Sequence, residues 1–207
     1  KRLKTIALLF IASIIAYLFL LPLMFMVFTS FKGLAEALSS PSLLPQKWVL
    51  RNYVDLFENT SSSPVLLWLR NTIIVTVCGT LLRLSTSTLA AYAFARFSFW
   101  LDKLLFYVLM FLIMLPPIMS LVPRFLMVKR LGLLNTYGGL ILPFMSGSQV
   151  TAMFILRSFF SGINESIFDA AQLDGASEGQ ILIRIVLPLS APVLWTLAIM
   201  NIMTSWN

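Results

Sequence analysis

The sequence predicts an all-α membrane protein, a polytopic bundle of five transmembrane helices with a two-helix loop outside the lipid. Hydrophobic residues make up 59% of the 207 positions and charged residues only 11%, and the mean hydropathy is +0.92. A water-soluble globule of this size could not bury so much apolar surface, so lipid is the solvent for much of the chain. Apolar stretches long enough to cross a bilayer recur along the sequence, which predicts a multi-pass protein.

The span boundaries follow from the charged residues, because a charge at mid-bilayer costs about 2.5–3.5 kcal/mol on insertion scales. The basic start of the first span resembles a signal peptide, but its apolar run is too long for one, which favours an uncleaved anchor. The last span has no polar flank after Asn207, so we expect either a truncated chain or one that has lost an unresolved tail. The predicted spans are residues 5–28, 71–95, 104–123, 138–157 and 189–207.

Orientation is not decided by the charge count. With the N-terminus inside, the loops carry seven basic residues on each side of the membrane. The cluster of Lys1, Arg2 and Lys4 favours an inside N-terminus, because the first helix often dominates the orientation.

Residues 32–70 form the longest hydrophilic stretch, and their prolines and serine run oppose a long helix. Within this stretch, residues 52–57 (NYVDLF) predict a short interfacial helix. Two roles remain open for the stretch: a solvated cap over the bundle, or a docking surface for an external partner.

Residues 158–188, here called the elbow, are hydrophilic but patterned. Asn164 is a candidate N-cap for a first short helix, and Gly175 is suited to end it, since glycine readily adopts the positive φ of a helix C-terminus. Four apolar residues share one face of that helix: Ile163, Ile167, Ala170 and Ala171.

A second short helix of the elbow is predicted after Gly175. Ser177 and Gln180 have the spacing of a capping box, and Pro188 is expected to break the helix and bend the chain into the fifth span. Helices this short are marginal alone, so their apolar stripe must pack against something. The stripe packs against its own bundle, or it fits a groove on a separate subunit; the pattern leaves both open.

Polar and proline residues inside the spans also need an explanation. Arg83 lies near the middle of the second span, where a charged side chain must face the bundle interior or a wet cavity. Two roles are open for Arg83: it lines a solute pathway, or its side chain hydrogen-bonds backbone carbonyls and only supports assembly. Pro116 and Pro117 interrupt the third span, either to line a cavity or for packing. The other candidates for a pathway are Ser146, Gln149 and Asn201, for which interhelical hydrogen bonding is an equal alternative.

The composition excludes several function classes. The chain has no histidine and one cysteine, Cys78, which excludes a disulfide framework, a Cys/His metal site and histidine acid–base chemistry. No stretch has the G-x-x-x-x-G-K-[ST] form of a phosphate-binding loop, so we expect no cofactor on this chain. No Asp or Glu lies within a predicted span, which disfavours the alternative function, a stand-alone secondary carrier for a small solute. The net charge of +7 fits charges near anionic headgroups better than nucleic-acid binding.

The elbow resembles the cytoplasmic signature of the inner-membrane permease subunits of binding-protein-dependent ABC importers. The family pattern is E-A-A, three residues, G, nine residues, I-x-L-P. Here Asp169-Ala170-Ala171 is followed at that spacing by Gly175 and by Ile185-Val186-Leu187-Pro188. Asp169 departs from the family glutamate: it keeps the charge and shortens the reach by one methylene. Residues 89–97 (LAAYAFARF) and 131–137 (LGLLNTY) look like the carbohydrate-uptake branch, and the chain is similar to the second permease subunit of maltose-type systems.

This resemblance implies a permease subunit of an ATP-driven importer for a sugar or related solute. It implies the inner or plasma membrane of a prokaryote, a cytoplasmic N-terminus, and a sixth span that we do not find before residue 207. The implied partners are a dimer of ATP-binding subunits, which would hold ATP and Mg, a second homologous permease, and an extracytoplasmic solute-binding protein. The chain itself is then a transport subunit and not an enzyme, and its elbow is the ATPase-coupling loop. The implied coupling residues are Asp169, Ala170, Ala171, Asp174, Gly175, Ala176, Ile185, Leu187 and Pro188.

Overall fold

The computed structural model describes residues 2–58, 64–147 and 149–206. Helices and their connections account for these residues, and no strand occurs among them, which confirms the predicted all-α class. The chain divides into two compact units, residues 1–69 and residues 70–207. The α-helices are α1 (Arg2–Ser30), α2 (Leu34–Ser39), α3 (Arg51–Glu58), α4 (Val65–Arg96), α5 (Asp102–Met114), α6 (Leu121–Arg130), α7 (Tyr137–Gly147), α8 (Gln149–Phe160), α9 (Glu165–Leu173), α10 (Glu178–Ile181), α11 (Leu187–Leu189) and α12 (Ala191–Trp206).

In the first unit, the polar chain after α1 folds back on the C-terminal end of that helix. The Asn52 amide donates to the carbonyl of Lys32 (2.8 Å), and the Phe31 ring lies 5.4 and 5.3 Å from the rings of Trp48 and Tyr53. The short helix predicted for the NYVDLF segment is present as α3. The most apolar stretch of α1 has no buried residue, so lipid or another subunit must cover it.

The second unit is built around α4, which has 32 residues and no internal proline. Ala91 of α4 and Ala152 of α8 are buried, at 0% and 3% exposure, and both belong to the core. The core lies toward the C-terminal end of α4, where α8, the elbow and α12 meet, and comprises Ala91, Tyr92, Ala152, Met153, Leu156, Phe160, Phe168, Ala171, Ile181, Leu182, Val186 and Leu197.

Among the described residues, two helices are long and apolar enough to cross a membrane without a break, Lys4–Ser30 and Val65–Arg96. They contain the predicted first and second spans. The third and fourth predicted spans correspond to helix pairs that bend by more than 40° at a short break. The fifth, residues 189–207, corresponds to α12, which forms a third such pair with the elbow segment Glu178–Leu189. The structure therefore agrees with a polytopic bundle, and the count reaches five if each bent pair crosses as one span.

The third predicted span, residues 104–123, is bent most. The axis turns by 102° between α5 and the segment Pro117–Arg130, which begins as a 3₁₀ turn. Pro116 is extended (φ −58°, ψ 129°), as is usual before a proline, and Pro117 has no N–H to continue the helix. The chain thus breaks where the proline pair predicts an interruption, and residues 104–123 do not form one straight helix.

The entry into the fifth span differs from the sequence expectation. Pro188 was expected to end the elbow helix, but α11 continues through it to Leu189. The 76° bend follows α11, and α12 begins only at Ala191. The helix passes through Pro188 because a π turn over Leu182–Val186 precedes it, and such a turn accommodates a residue that lacks a backbone N–H.

Candidate functional site

The first elbow helix, α9, has its own signals at both ends. Asn164 Oδ1 accepts from the Ser166 N–H (3.1 Å) and caps the N-terminus as predicted. At the other end Gly175 adopts φ +77°, and the Ala176 N–H donates to the carbonyl of Ala171 (2.9 Å). This is a Schellman ending, which favours glycine at the positive φ. The length of α9 is therefore set by local chemistry.

The second elbow helix begins at the predicted capping box, in which the Ser177 N–H donates to Gln180 Oε1 (2.9 Å). It then widens into a π turn over Leu182–Val186, where the Leu187 N–H donates to the carbonyl of Leu182. Pro188 explains the widening, since it offers no N–H to the carbonyl four residues earlier. The second helix is therefore continuous through the family's I-x-L-P segment.

Arg96, in the last turn of α4, holds α9. Its Nη1 lies 3.0 Å from Glu165 Oε1, and its guanidinium carbon lies 3.7 Å from the ring centre of Phe168. The side chain of Glu165 is 76% exposed, whereas that of Arg96 is 16% exposed and Phe168 is 1% exposed. The desolvated cation–π contact is therefore stronger than the exposed ion pair. We call Arg96, Glu165 and Phe168 the arginine clamp.

A second link ties the elbow to α4. The Tyr92 hydroxyl donates to Glu178 Oε2 (2.6 Å), and the other oxygen of that carboxylate accepts from Gln172 Nε2 (3.1 Å). One carboxylate thus joins α4, α9 and α10. Together with the arginine clamp, this group fixes the elbow to the C-terminal end of α4.

The predicted coupling residues divide between two sides of the elbow. Ala171 is 8% exposed and belongs to the core with Phe168, whereas Ala170 is exposed. Ala171 therefore packs within the chain, and of the two alanines only Ala170 is open to contact with a partner. Asp169, Ala170, Asp174, Gly175 and Pro188 are exposed, and Ala176, Ile185 and Leu187 are half-buried.

The outward side of α9 carries apolar residues that the chain itself does not cover. Leu173 is 90% exposed and Ile167 is 39% exposed, and Ala170 lies between them at helical spacing. We call Ile167, Ala170 and Leu173 the outer face. Sequence reasoning missed Leu173, although its position three residues after Ala170 is a usable signal. A contiguous exposed apolar face of this kind is typical of a helix that docks into a groove.

A cavity of about 1020 Å³ lies beside α4, toward the end remote from the elbow. Asn71 and Arg83 line it from α4, and twelve residues of helix place them about 18 Å apart along the axis. The Asn71 side chain accepts from the Tyr137 hydroxyl (2.6 Å). The other polar residues that line the cavity are mainly Arg124, Asn135, Thr136, Tyr137 and Thr204.

Arg83 is buried at 4% exposure. Its Nη1 donates to Asn201 Oδ1 (2.6 Å), and its Nη2 bonds the Phe144 carbonyl. Arg83 Nε and Asn201 Nδ2 are buried without a hydrogen-bond partner in the described part of the chain. The structure thus brings the pathway candidates Arg83 and Asn201 together, although Asn201 itself does not line the cavity. It also shows the bond to a backbone carbonyl that the assembly alternative requires.

The remaining pathway candidates are placed differently. Gln149 lies outside the cavity lining: its Nε2 donates to Thr86 Oγ1 (2.8 Å), and its carbonyl accepts from Ser87 Oγ (3.1 Å). These bonds join α4 to α8. The side chain of Ser146 lies outside the described residues. Within the described ranges, no three His, Cys, Asp or Glu side chains are grouped to hold a metal ion.

Sequence reasoning did not find the residues that hold the elbow. Arg96 and Glu165 are 69 positions apart, and Tyr92 and Glu178 are 86 apart. A single sequence has no signal for contacts at such separations. Arg124 lines the cavity but has no signal for this in the sequence, because the 102° bend before its helix cannot be read from composition.

The fold and the site define the class of the protein: a helical membrane protein with an elbow whose outer face is exposed. Residues 84–207 match the family described as binding-protein-dependent transport system inner membrane component. The chain belongs to this family, which confirms the resemblance seen in the elbow.

Individual relatives and one solved structure extend the match over the whole chain. The chain is 33% identical over 201 residues to the diacetylchitobiose uptake system permease protein NgcG of Streptomyces coelicolor, covering 97% of this chain and 65% of that protein. It is 35% identical over 206 residues to the trehalose/maltose transport system permease protein MalG of Thermococcus litoralis, covering 99% and 73%. A chain of a bacterial ABC transporter involved in the import of the acidic polysaccharide alginate superposes with a TM-score of 0.84 at 25% identity, covering 100% and 71%. The chain thus spans about two thirds of the length of its relatives.

Proposed function

We propose that this chain is a permease subunit of an ATP-driven ABC importer, which moves a sugar or related solute delivered by an extracytoplasmic binding protein. Family membership and the sugar-transport names of the relatives support this function. The observation that carries it is the elbow: its inner side is fixed to α4, and its outer face is exposed. A rigid element with an open apolar face is what transmission of a partner's motion requires.

The proposed complex contains two permeases, a dimer of ATP-binding subunits and the binding protein. ATP and Mg belong to the ATP-binding subunits in this proposal, because the sequence has no phosphate-binding loop of its own. The N-terminus and the elbow lie in the cytoplasm of a prokaryote, and the outer face fits a cleft of an ATP-binding subunit. Closure of the ATPase dimer would move the elbow and, with it, the end of α4.

Adjacent alanines provide a matched test of the docking. Cys78→Ala first removes the exposed native thiol. In that background, Ala170→Cys places a thiol on the outer face, and Ala171→Cys places the same thiol in the core. Each variant is expressed in its host membrane and modified with a maleimide benzophenone. Irradiation is expected to join the position-170 variant to a protein that carries a G-x-x-x-x-G-K-[ST] loop, identified by mass spectrometry, and to leave the position-171 variant unjoined.

The same variants test the orientation. A membrane-impermeant maleimide is expected to label Ala170→Cys in inverted vesicles and not in intact spheroplasts. Labelling from outside the cell contradicts the proposal, as does the absence of an ATPase adduct in cells that retain uptake. Solute uptake by proteoliposomes that contain this chain alone would instead support the stand-alone carrier.

A further inference from the structure

The cavity beside α4 has an unbalanced charge. Arg83 and Arg124 line it, and no acidic residue does in the described part of the chain. The five acidic residues of the second unit lie elsewhere, at the start of α5 and in the elbow: Asp102, Glu165, Asp169, Asp174 and Glu178. The cavity is therefore electropositive at the end of α4 remote from the elbow.

The position of Arg83 makes this imbalance costly. A buried guanidinium requires a counter-charge or a full set of hydrogen bonds. Within the described ranges, its hydrogen-bond acceptors are two neutral oxygens, from Asn201 and Phe144. Its Nε has no partner among the described residues. A side chain that only supported assembly could be a glutamine, which would make similar bonds without the cost of burying a charge.

We infer that the cavity binds the anionic group of a solute, with the Arg83 guanidinium as the principal contact and Arg124 as a second positive charge. This inference rests on the proposed function and narrows its substrate to an acidic sugar: one that carries a carboxylate, sulfonate or phosphate beside its hydroxyl groups. A guanidinium matches such oxyanions with paired N–H donors. Asn71, Thr136 and Thr204 offer amide and hydroxyl groups for the neutral part of the sugar.

The size and shape of the cavity agree with this ligand. Its volume of about 1020 Å³ is at the upper end of the range of about 300–1,000 Å³ that is typical of small-molecule pockets. The rings of Phe125, Tyr137 and Phe144 supply apolar surface around the polar groups. Substrate sites of this kind combine an apolar lining with a few fixed polar groups.

The test measures binding to the assembled importer in nanodiscs, with co-purified ATP-binding subunits as the check on assembly. Glucose and glucuronate are matched probes, because they differ only by the oxidation of one carbon to a carboxylate, and acetate at equal ionic strength is the control for a bare anion. Glucuronate is expected to bind at least tenfold more tightly than glucose, and acetate is expected not to bind. Equal binding of the two sugars overturns the inference, and so does binding of acetate as tight as that of glucuronate.

Two variants separate the role of Arg83 from a structural one. Arg83→Gln is expected to remove the preference for glucuronate. Asn201→Asp is expected to do the same with the fold intact, because it places an internal carboxylate at the 2.6 Å contact and neutralises the guanidinium. A preference that survives Asn201→Asp overturns the inference.

A carboxylate of the partner permease is the rival source of the counter-charge. If such a carboxylate paired with Arg83, the wild type would bind glucuronate no more tightly than glucose. Arg83→Gln would then break the contact between the two permeases and dissociate them. That result overturns the inference. Failure of the proposed function has a different signature, because the ATP-binding subunits would then not co-purify with the wild type.

Discussion

Removal of the Arg96 guanidinium by Arg96→Gln is expected to release the elbow from α4. The exposed ion pair with Glu165 contributes about 0.2–1 kcal/mol, and the desolvated contact with the Phe168 ring contributes about 2 kcal/mol. The loss of both contacts, about 2–3 kcal/mol, corresponds to a change of about 30- to 140-fold in the local opening equilibrium, since 1.4 kcal/mol is tenfold. Glu165→Gln removes only the exposed pair, and its effect is expected to stay below about fivefold.

Amide hydrogen exchange of α9 in the assembled complex measures this opening directly, because exchange of a local element reports its own opening free energy. Arg51→Gln is a matched control: it breaks the Arg51–Asp55 ion pair, in which the Arg51 side chain is 77% exposed, outside the elbow. Its α9 amides are expected to exchange as in the wild type.

The ranking of the variants tests the reasoning. If Glu165→Gln accelerates exchange as much as Arg96→Gln, the ion pair and not the ring contact holds the elbow, and our assignment is wrong. A double-mutant cycle with Phe168→Leu gives an independent measure, because the double variant is expected to cost less than the two single changes together. Additive costs would show that Arg96 and Phe168 do not interact.

Two further predictions concern the other fixed points of the elbow. Gly175→Ala places a side chain at φ +77°, where no atom obstructs it. Backbone strain alone is therefore expected to destabilise the end of α9 by about 1–2 kcal/mol. Gly175→Asn is expected to cost less, and equal amide hydrogen exchange of α9 in the two variants would contradict the role of the positive φ. Tyr92→Phe removes the bond to Glu178 and is expected to destabilise the complex by about 1.5–3 kcal/mol, seen as a lower thermal midpoint; Tyr107→Phe, at a 70% exposed position, is the control that is expected to leave the midpoint unchanged.

The local features of the elbow could be predicted because their causes are local. Asn164 caps the residue two positions on, Gly175 supplies a conformation that few residues adopt, and Ser177 pairs with Gln180 three positions later. Each signal acts within one helical turn. A single sequence contains all the information that such features need.

The assignment of faces could not be predicted in the same way. Ala170 and Ala171 are both small and apolar, and helical spacing does not distinguish a core contact from a contact with another subunit. In the structure Ala171 lies in the core with Phe168, whose ring contacts the Arg96 guanidinium. The 102° bend is similar: the proline pair indicates a break, but tertiary packing sets its angle.

The proposed cycle requires a mechanical connection between the elbow and the cavity, and α4 is the element that meets this requirement. Arg83 lines the cavity and Arg96 holds the elbow. The thirteen helical steps from one residue to the other span about 20 Å with no proline. The covalent route through α12 is less direct, because the chain bends by 76° after α11 and such a joint absorbs rotation. A displacement of the elbow therefore reaches the guanidinium of Arg83 along α4. The side chain proposed to hold the solute is then also the one that is moved when the elbow moves.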